Sequence, residues 1–392
     1  MARILVTGIP TYGLANPTFP LVAALVAAEH TVDYLMPEGF RRGVEAAGAA
    51  LIPYGGYLHG KPVTHPVQGL AARTLFDEVT RRTIALGPDY DVVVATGLQP
   101  QFSSITDAVE VPVVRFSPIF WQNDHTMAEL MAQADALPGF VRHGMASPRL
   151  RRLGSQVAGR ALLGNGGADV VEMLSPQSAH LNLNVSSRLY QPRADDFDDT
   201  CVYLGPRPTR TITPDEELVA QVAAHSGPVV YVTLGTVYNG WISYFRKVID
   251  AFGGTDALVV ITAGRAESVA RIGQVPGNVI VRAFLPQADI LAHADLYVGH
   301  GGFGSITDAT LAEVPMIVTP LGGDQFFNAY RLAELDAGTV LAPRRVTAER
   351  IGSLAAAILD GSARPSGLAA LAASFRDAGG PELGVAGIEA LL

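Results

Sequence analysis

The residues best placed to do chemistry lie between His300 and Gln325, which read HGGFGSITDATLAEVPMIVTPLGGDQ. An imidazole leads the stretch, Asp308 sits within it, and Asp324-Gln325 close it. Four glycines (Gly299, Gly301, Gly302, Gly304) crowd the turn at its start, just after the apolar run Leu296-Tyr297-Val298. Ile306, Ala309, Thr310 and Ala312 then recur at helical spacing, and Val314 to Thr319 reads as a strand. A strand, a glycine turn and a helix start make an anion site. Orphan N–H groups and the positive end of the helix dipole face outward, and missing side chains let a phosphate reach the backbone. Glycines alone would fit an ordinary βαβ turn equally well.

Three other stretches bear on the same chemistry. Pro228 to Thr236 is a strand ending in Gly235-Thr236, where threonine can cap the next helix or stand beside a phosphate. Phe284-Leu285-Pro286-Gln287 follows the strand Val279 to Ala283 and offers an aromatic face. At the amino end, Ile4 to Thr7 is a strand, Gly8 to Pro17 a turn, Leu21 to Ala28 a helix and Thr31 to Leu35 a second strand. This opening resembles a dinucleotide fold but lacks GxGxxG, which disfavours a nicotinamide cofactor.

The order His300, Gly302, Gly304-Ser305, Asp308, Pro315, Pro320, Asp324-Gln325 resembles the donor signature of family-one nucleotide-sugar-dependent glycosyltransferases. Among these inverting enzymes it is most similar to bacterial enzymes acting on macrolides and other natural products. The resemblance implies an α/β chain of GT-B fold, with two Rossmann-like domains whose parallel sheets face an interdomain cleft. It also implies a UDP- or dTDP-sugar as co-substrate, no other cofactor and no metal. By the same resemblance His300 and Thr236 bond the diphosphate, with Gly302, Gly304 and Ser305 at the helix start. Asp308 stands where an acid, usually glutamate, bonds the ribose, and Asp324 and Gln325 bond the sugar. Phe284 stacks on the base, which is worth about 1–3 kcal/mol in other aromatic–base contacts. The Leu285 backbone reads the base edge, and Gln287 and Gly13 complete the donor set.

One departure stands out. Gly13, Asn16 and Pro17 match the family's first turn, but Leu14 occupies the place of the histidine that takes the acceptor's proton. Thr96, at the end of the strand Asp91 to Thr96, stands near where an aspartate would orient that histidine. Leucine has no proton-accepting atom. Replacement bases are therefore sought in His59, His65, Asp124 and His125, since imidazoles and carboxylates can transfer protons near neutrality. Tyr12, Leu14, Phe120 and Trp121 are the expected acceptor walls; both aromatics of the latter pair would equally suit a domain core.

Two classes of function follow. One is inverting transfer to a hydrophobic polyketide or aromatic acceptor, with a non-standard or absent general base. The other is a donor-binding, non-catalytic auxiliary partner of another glycosyltransferase. An epimerase of GT-B fold fits the carboxyl-terminal motif less well.

The 392 residues suit two domains of about 150–200 residues each. Residues 1–206 read as the acceptor domain and 207–216 as a proline-rich linker. Residues 217–375 read as the nucleotide-sugar domain, and 376–392 as a helix packing back on the first. A net charge of −9, with no extended basic block, argues against nucleic acid. A single cysteine, Cys201, excludes an intramolecular disulfide. Met1-Ala2-Arg3 runs straight into a strand, too short for a signal sequence, and no apolar run reaches the ~20 residues of a membrane span. These features predict a soluble, cytoplasmic protein whose partners are two small molecules, with a homodimer left open.

Overall fold

The computed structural model describes residues 1–55, 66–96, 101–134, 138–163, 169–176, 179–208, 215–235 and 238–392, without the side chains of 66–73 and 158–163. His59, His65 and Thr236 lie outside the described residues. The chain forms two compact units, Met1–Thr209 with Arg376–Leu392, and Arg210–Phe375.

The first unit is built on seven strands: β1 (Arg3–Thr7), β2 (Thr31–Met36), β3 (Ala50–Pro53), β4 (Val92–Thr96), β5 (Val113–Ser117), β6 (Leu181–Asn184) and β7 (Cys201–Tyr203). They lie in the order β3-β2-β1-β4-β5-β6-β7, every neighbour parallel. Runs such as Val92-Val93-Val94-Ala95 are apolar on both faces because helices cover both sides of a parallel sheet. Leu5, Leu35, Val93 and Ala95 join Val79, Phe102 and Ile105 in one buried cluster.

The second unit has six strands: β8 (Val229–Thr233), β9 (Leu258–Thr262), β10 (Val279–Arg282), β11 (Leu296–Gly299), β12 (Met316–Val318) and β13 (Thr339–Val340). Their order is β10-β9-β8-β11-β12-β13, again all parallel. The Ile242–Phe252 helix turns Phe245, Val248 and Ile249 onto this sheet, where they meet Val230, Val259 and Val298.

After Phe375 the chain rejoins the first unit. Gly379 and Gly380 both take left-handed backbone (φ +79 and +75) that lets the chain turn into the Gly380–Glu389 helix. A Cβ on Gly384 would stand 2.9 Å from Leu21 Cδ1, so this glycine permits close packing on the Phe19–Ala27 helix. His30 Nε2 lies 3.2 Å from Glu389 Oε1 at the same contact. Among the described residues no helix is long and apolar enough to cross a membrane, and no group of three or more potential ligands could hold a metal ion.

Candidate functional site

Each sheet reverses its strand order once, and open parallel sheets bind ligands beyond the carboxyl ends of the strands at such a point. In the second unit the reversal falls between β8 and β11. Leu234-Gly235 and His300-Gly301-Gly302 therefore leave the sheet side by side. Gly235 and Gly301 have φ of +66 and +81, left-handed values that favour glycine. A Cβ on Gly235 or on Gly302 would stand 2.6 Å from His300 Nε2. The two glycines thus make room for the imidazole between them.

His300 is 7% exposed, and among the described residues its Nδ1 has no hydrogen-bond partner. Burial pushes its pKa down to about 4, with the Thr233 backbone acting in the opposite direction. At neutral pH the ring is uncharged and acts toward a ligand as a neutral donor or acceptor.

Gly302 is the N-cap of the Phe303–Leu311 helix and has no side chain to cap it. The Ile306 N–H returns to the Gly302 carbonyl (3.1 Å), so the amides before it are the open donors of a helix start. A Cβ on Gly304 would meet nothing within 4 Å, and this residue is exposed. The imidazole and the helix start thus supply N–H groups suited to an anion.

Around them lies a network of polar side chains. Ser305 Oγ donates to Gln287 Oε1 (3.0 Å), and Gln287 Nε2 donates to Asp308 Oδ2 (2.6 Å). Asp308 is pushed up to about 6 by burial, with the Gln287 bond acting against the shift. Asp324 is also raised by burial, opposed by its own N–H, by Asn328 and by the Phe303 N–H. Asn328 Nδ2 donates both to Asp324 Oδ2 (3.1 Å) and to the Gly301 carbonyl (3.0 Å), tying the two turns together.

The geometry narrows what Gln325 and Leu285 can offer a ligand. Gln325 is 5% exposed, and its Oε1 accepts from the N–H groups of Leu321 (2.8 Å) and Gly322 (3.2 Å). That oxygen closes its own turn, so only the Nε2 end of Gln325 is left for a sugar hydroxyl. Leu285 is a core side chain, 4% exposed, which leaves only its backbone for a ligand. Phe284, next to it, presents a large apolar ring at 58% exposure.

Sequence reasoning missed Asn328 and Tyr238. The Tyr238 hydroxyl faces Gly322, where a Cβ would stand 2.1 Å from it. Burial and the nearby Asp324 raise its pKa. The i, i+4 spacing of Asp324 and Asn328 on one helix was the available signal for Asn328; Tyr238 had none.

In the first unit the reversal falls between β1 and β4. Thr96 Oγ1 donates to the Thr7 carbonyl (2.7 Å), and the Tyr34 and Thr18 hydroxyls are 2.9 Å apart. Burial pushes Tyr34 up to about 12, which keeps it protonated. Leu14 is half-buried against the core, and Gly13 faces open space. Tyr12 is 52% exposed, with its ring 5.0 Å from that of Phe40.

On the expected acceptor side the structure corrects the sequence. Phe120 and Trp121 are 2% and 0% exposed, so neither ring offers a wall to a ligand. Phe120 packs on Tyr190 (4.7 Å between rings), and Gln191 clamps the Trp121 backbone through its N–H and carbonyl, each at 2.9 Å. Asp124 is paired with the buried Arg151, which also bonds Asp169 (2.7 Å). Its carboxylate is thus already engaged in an ion pair. His125 is different. Its Nδ1 lies 3.3 Å from Asp196 Oδ2, and its side chain is 73% exposed.

Residues 246–382 match the family described as erythromycin biosynthesis protein CIII-like, C-terminal domain. The chain is 25% identical to an uncharacterized UDP-glucosyltransferase, YdhE, of Bacillus subtilis, over 96% of this chain and 95% of that one. It is 27% identical to demethyllactenocin mycarosyltransferase of Streptomyces fradiae, over 100% of this chain and 87% of the relative. Among solved structures, the calicheamicin glycosyltransferase CalG4 superposes with a TM-score of 0.75 at 24% identity, covering 100% of this chain and 98% of that one.

Proposed function

We propose that the chain is a nucleotide-sugar-dependent glycosyltransferase of GT-B fold and that it moves a sugar, with inversion, from a UDP- or dTDP-sugar to a hydrophobic natural-product acceptor. The acceptor atom's lone pair forms the new bond to the anomeric carbon as the bond from that carbon to the diphosphate oxygen breaks. Negative charge gathers on the departing diphosphate. Fixed N–H groups aimed at such charge are often the largest catalytic contribution. The observation that carries the reading is the buried imidazole of His300 held between Gly235 and Gly302, beside the uncapped helix start at Gly304-Ser305.

Around that centre Asp308 and Gln287 face the ribose, Phe284 stacks on the base, and Asp324 with the Gln325 amide nitrogen faces the sugar. Thr236 is placed on the diphosphate by resemblance alone. Two relatives support the donor class: a transferase named for UDP-glucose use, and the solved structure of VinC, which is described as a complex with dTDP.

The acceptor proton leaves by a route other than Leu14. Of the replacement candidates described, His125 has the arrangement a base needs: one ring nitrogen oriented by Asp196, the other facing solvent. Acceptors already nucleophilic, such as a phenolate or an amine, would need no base.

The test is calorimetry with UDP and dTDP, followed by hydrolysis and transfer assays with nucleotide-sugars and a panel of phenols, amines and alcohols. One nucleotide should bind, and His300→Ala should lower kcat/KM by about 10²–10³-fold. His125→Gln should slow alcohols and spare phenols. No heat from either nucleotide, with His300→Ala unchanged, would sink the reading. A second reading, an auxiliary donor-binding partner, is favoured by one observation: among the described residues the first sheet's reversal point has hydroxyls where a proton acceptor is expected. Tight nucleotide binding without turnover on any acceptor would select it.

A further inference from the structure

Arg115 is the middle residue of β5, between Val114 and Phe116, and is 2% exposed. One guanidinium nitrogen, Nη2, donates to the Met173 carbonyl at the end of the Val170–Leu174 helix. The other, Nη1, is buried and has no partner among the described residues. The guanidinium carbon lies 4.7 Å from the Phe102 ring centre and 5.7 Å from that of Trp121. Trp121 is fully buried, and its indole Nε1 is likewise without a partner among the described residues. Two buried N–H donors therefore belong to side chains packed against each other, and neither has an acceptor among the described residues.

Among the described residues no carboxylate accounts for the arginine. Burial lowers its pKa to about 10, with no acid contributing, so it stays charged at neutral pH. Asn182, its register partner on β6, directs its Nδ2 to Thr200 (3.0 Å); its Oδ1 is buried and makes no hydrogen bond to Arg115 or to any other described residue, and the amide carries no balancing charge. Buried charges are paired as a rule, and buried donors find acceptors. Aromatic faces attract a cation but cannot satisfy its N–H groups. The missing group must be an acceptor, must be compact, and balances the charge best if it is an anion.

We propose that Arg115 and Trp121 form an anion subsite inside the first unit that takes a compact monovalent anion, either a halide or the carboxylate of a bound ligand. The inference is independent of glycosyl transfer, and its test needs no donor or acceptor.

Crystals of the full chain soaked in sodium bromide should show an anomalous peak within about 3.5 Å of Arg115 Nη1 and Trp121 Nε1. Arg115→Met should abolish it. Trp121→Phe keeps the ring and removes one donor, and should weaken bromide binding on the order of tenfold. If Arg115→Met does not fold, the wild-type soak and Trp121→Phe still decide. A second soak with sodium benzoate separates the sources. Displacement of bromide marks a carboxylate subsite, and its retention marks a structural halide. An ordered water at the two nitrogens, or no bromide there in the wild type, overturns the proposal.

Discussion

At the strand reversal of the first sheet the buried polar side chains among the described residues are hydroxyls; at that of the second stand a buried imidazole and two half-buried carboxylates. The backbone plan is the same: parallel strands, a turn containing glycine, and a helix beyond it. What differs is the cost of the side chains. Thr18, Tyr34 and Thr96 satisfy one another or the backbone while remaining neutral, and the Thr7 hydroxyl, neutral too, is buried without a partner among the described residues. His300, Asp308 and Asp324 all have pKa values moved toward the neutral form by burial. Such displacement clusters at functional sites, because the groups are held for a ligand and not for the fold. The titratable groups displaced by burial thus stand at the second unit's reversal point, where donor handling is proposed, whereas the described residues at the equivalent point of the first unit are neutral.

The sharpest way to break this contrast is to put a charge into the first sheet. Thr96 is 1% exposed, and its Oγ1 fits against Gly8 only because that residue has no Cβ, which would stand 2.3 Å away. Thr96→Asp would set a carboxylate against the Thr7 carbonyl, which has no proton to give. We expect a loss of about 3 kcal/mol or more in the first unit, read as an earlier denaturation transition, with the second unit's transition unchanged. If Leu14 occupies the family's histidine position, Leu14→His in the same chain recovers part of that loss. An unchanged first transition in Thr96→Asp would show that this point tolerates charge and that the contrast is not physical.

The next effect is smaller and falls on binding. Phe284 is largely exposed and holds little of the core, so Phe284→Ala should leave stability unaltered. Nucleotide affinity should fall by about 1–3 kcal/mol, roughly tenfold or more, in calorimetry with UDP and dTDP. Equal affinity in the variant would remove the stacking role.

Much of this was legible in the sequence because it depends on neighbours along the chain. Apolar runs bounded by glycine gave the parallel strands, and the His300-to-Gln325 spacing gave the helix start with its imidazole. The misreadings share one cause: they depend on contacts between distant segments. Phe120-Trp121 reads the same whether it walls a pocket or fills a core, and only the packing of Tyr190 and Gln191 decides. Gln325 looks free until Leu321 and Gly322 turn their N–H groups onto it. Tyr238 reaches Gly322 across the second unit, and Arg115 is one letter in an apolar strand. Local patterns fix elements and backbone sites; side-chain partners far apart in sequence do not announce themselves.

The smallest expected effect tests whether the second site is held at the expense of stability. Asp308 titrates near 6 in the folded chain, against an ordinary value of 3.8, because burial disfavours its charge. Between pH 4 and 6 the folded state therefore binds more protons than the unfolded state, and stability falls as pH rises through that window. The penalty is complete above pH 6. His300, lowered to about 4, gives the opposite slope between pH 4 and 6.5, so the wild-type profile alone would mislead. Asp308→Asn isolates the carboxylate. Without nucleotide, the variant's second unit should be more stable than wild type at pH 7.5, by on the order of 1 kcal/mol, after allowing for disturbance of the Gln287 bond. At pH 4 the gain should vanish. Nucleotide affinity should fall in the same variant, because the ribose loses a charged acceptor. Stability that rises equally at both pH values would mean that the charge of Asp308 is not what strains the site.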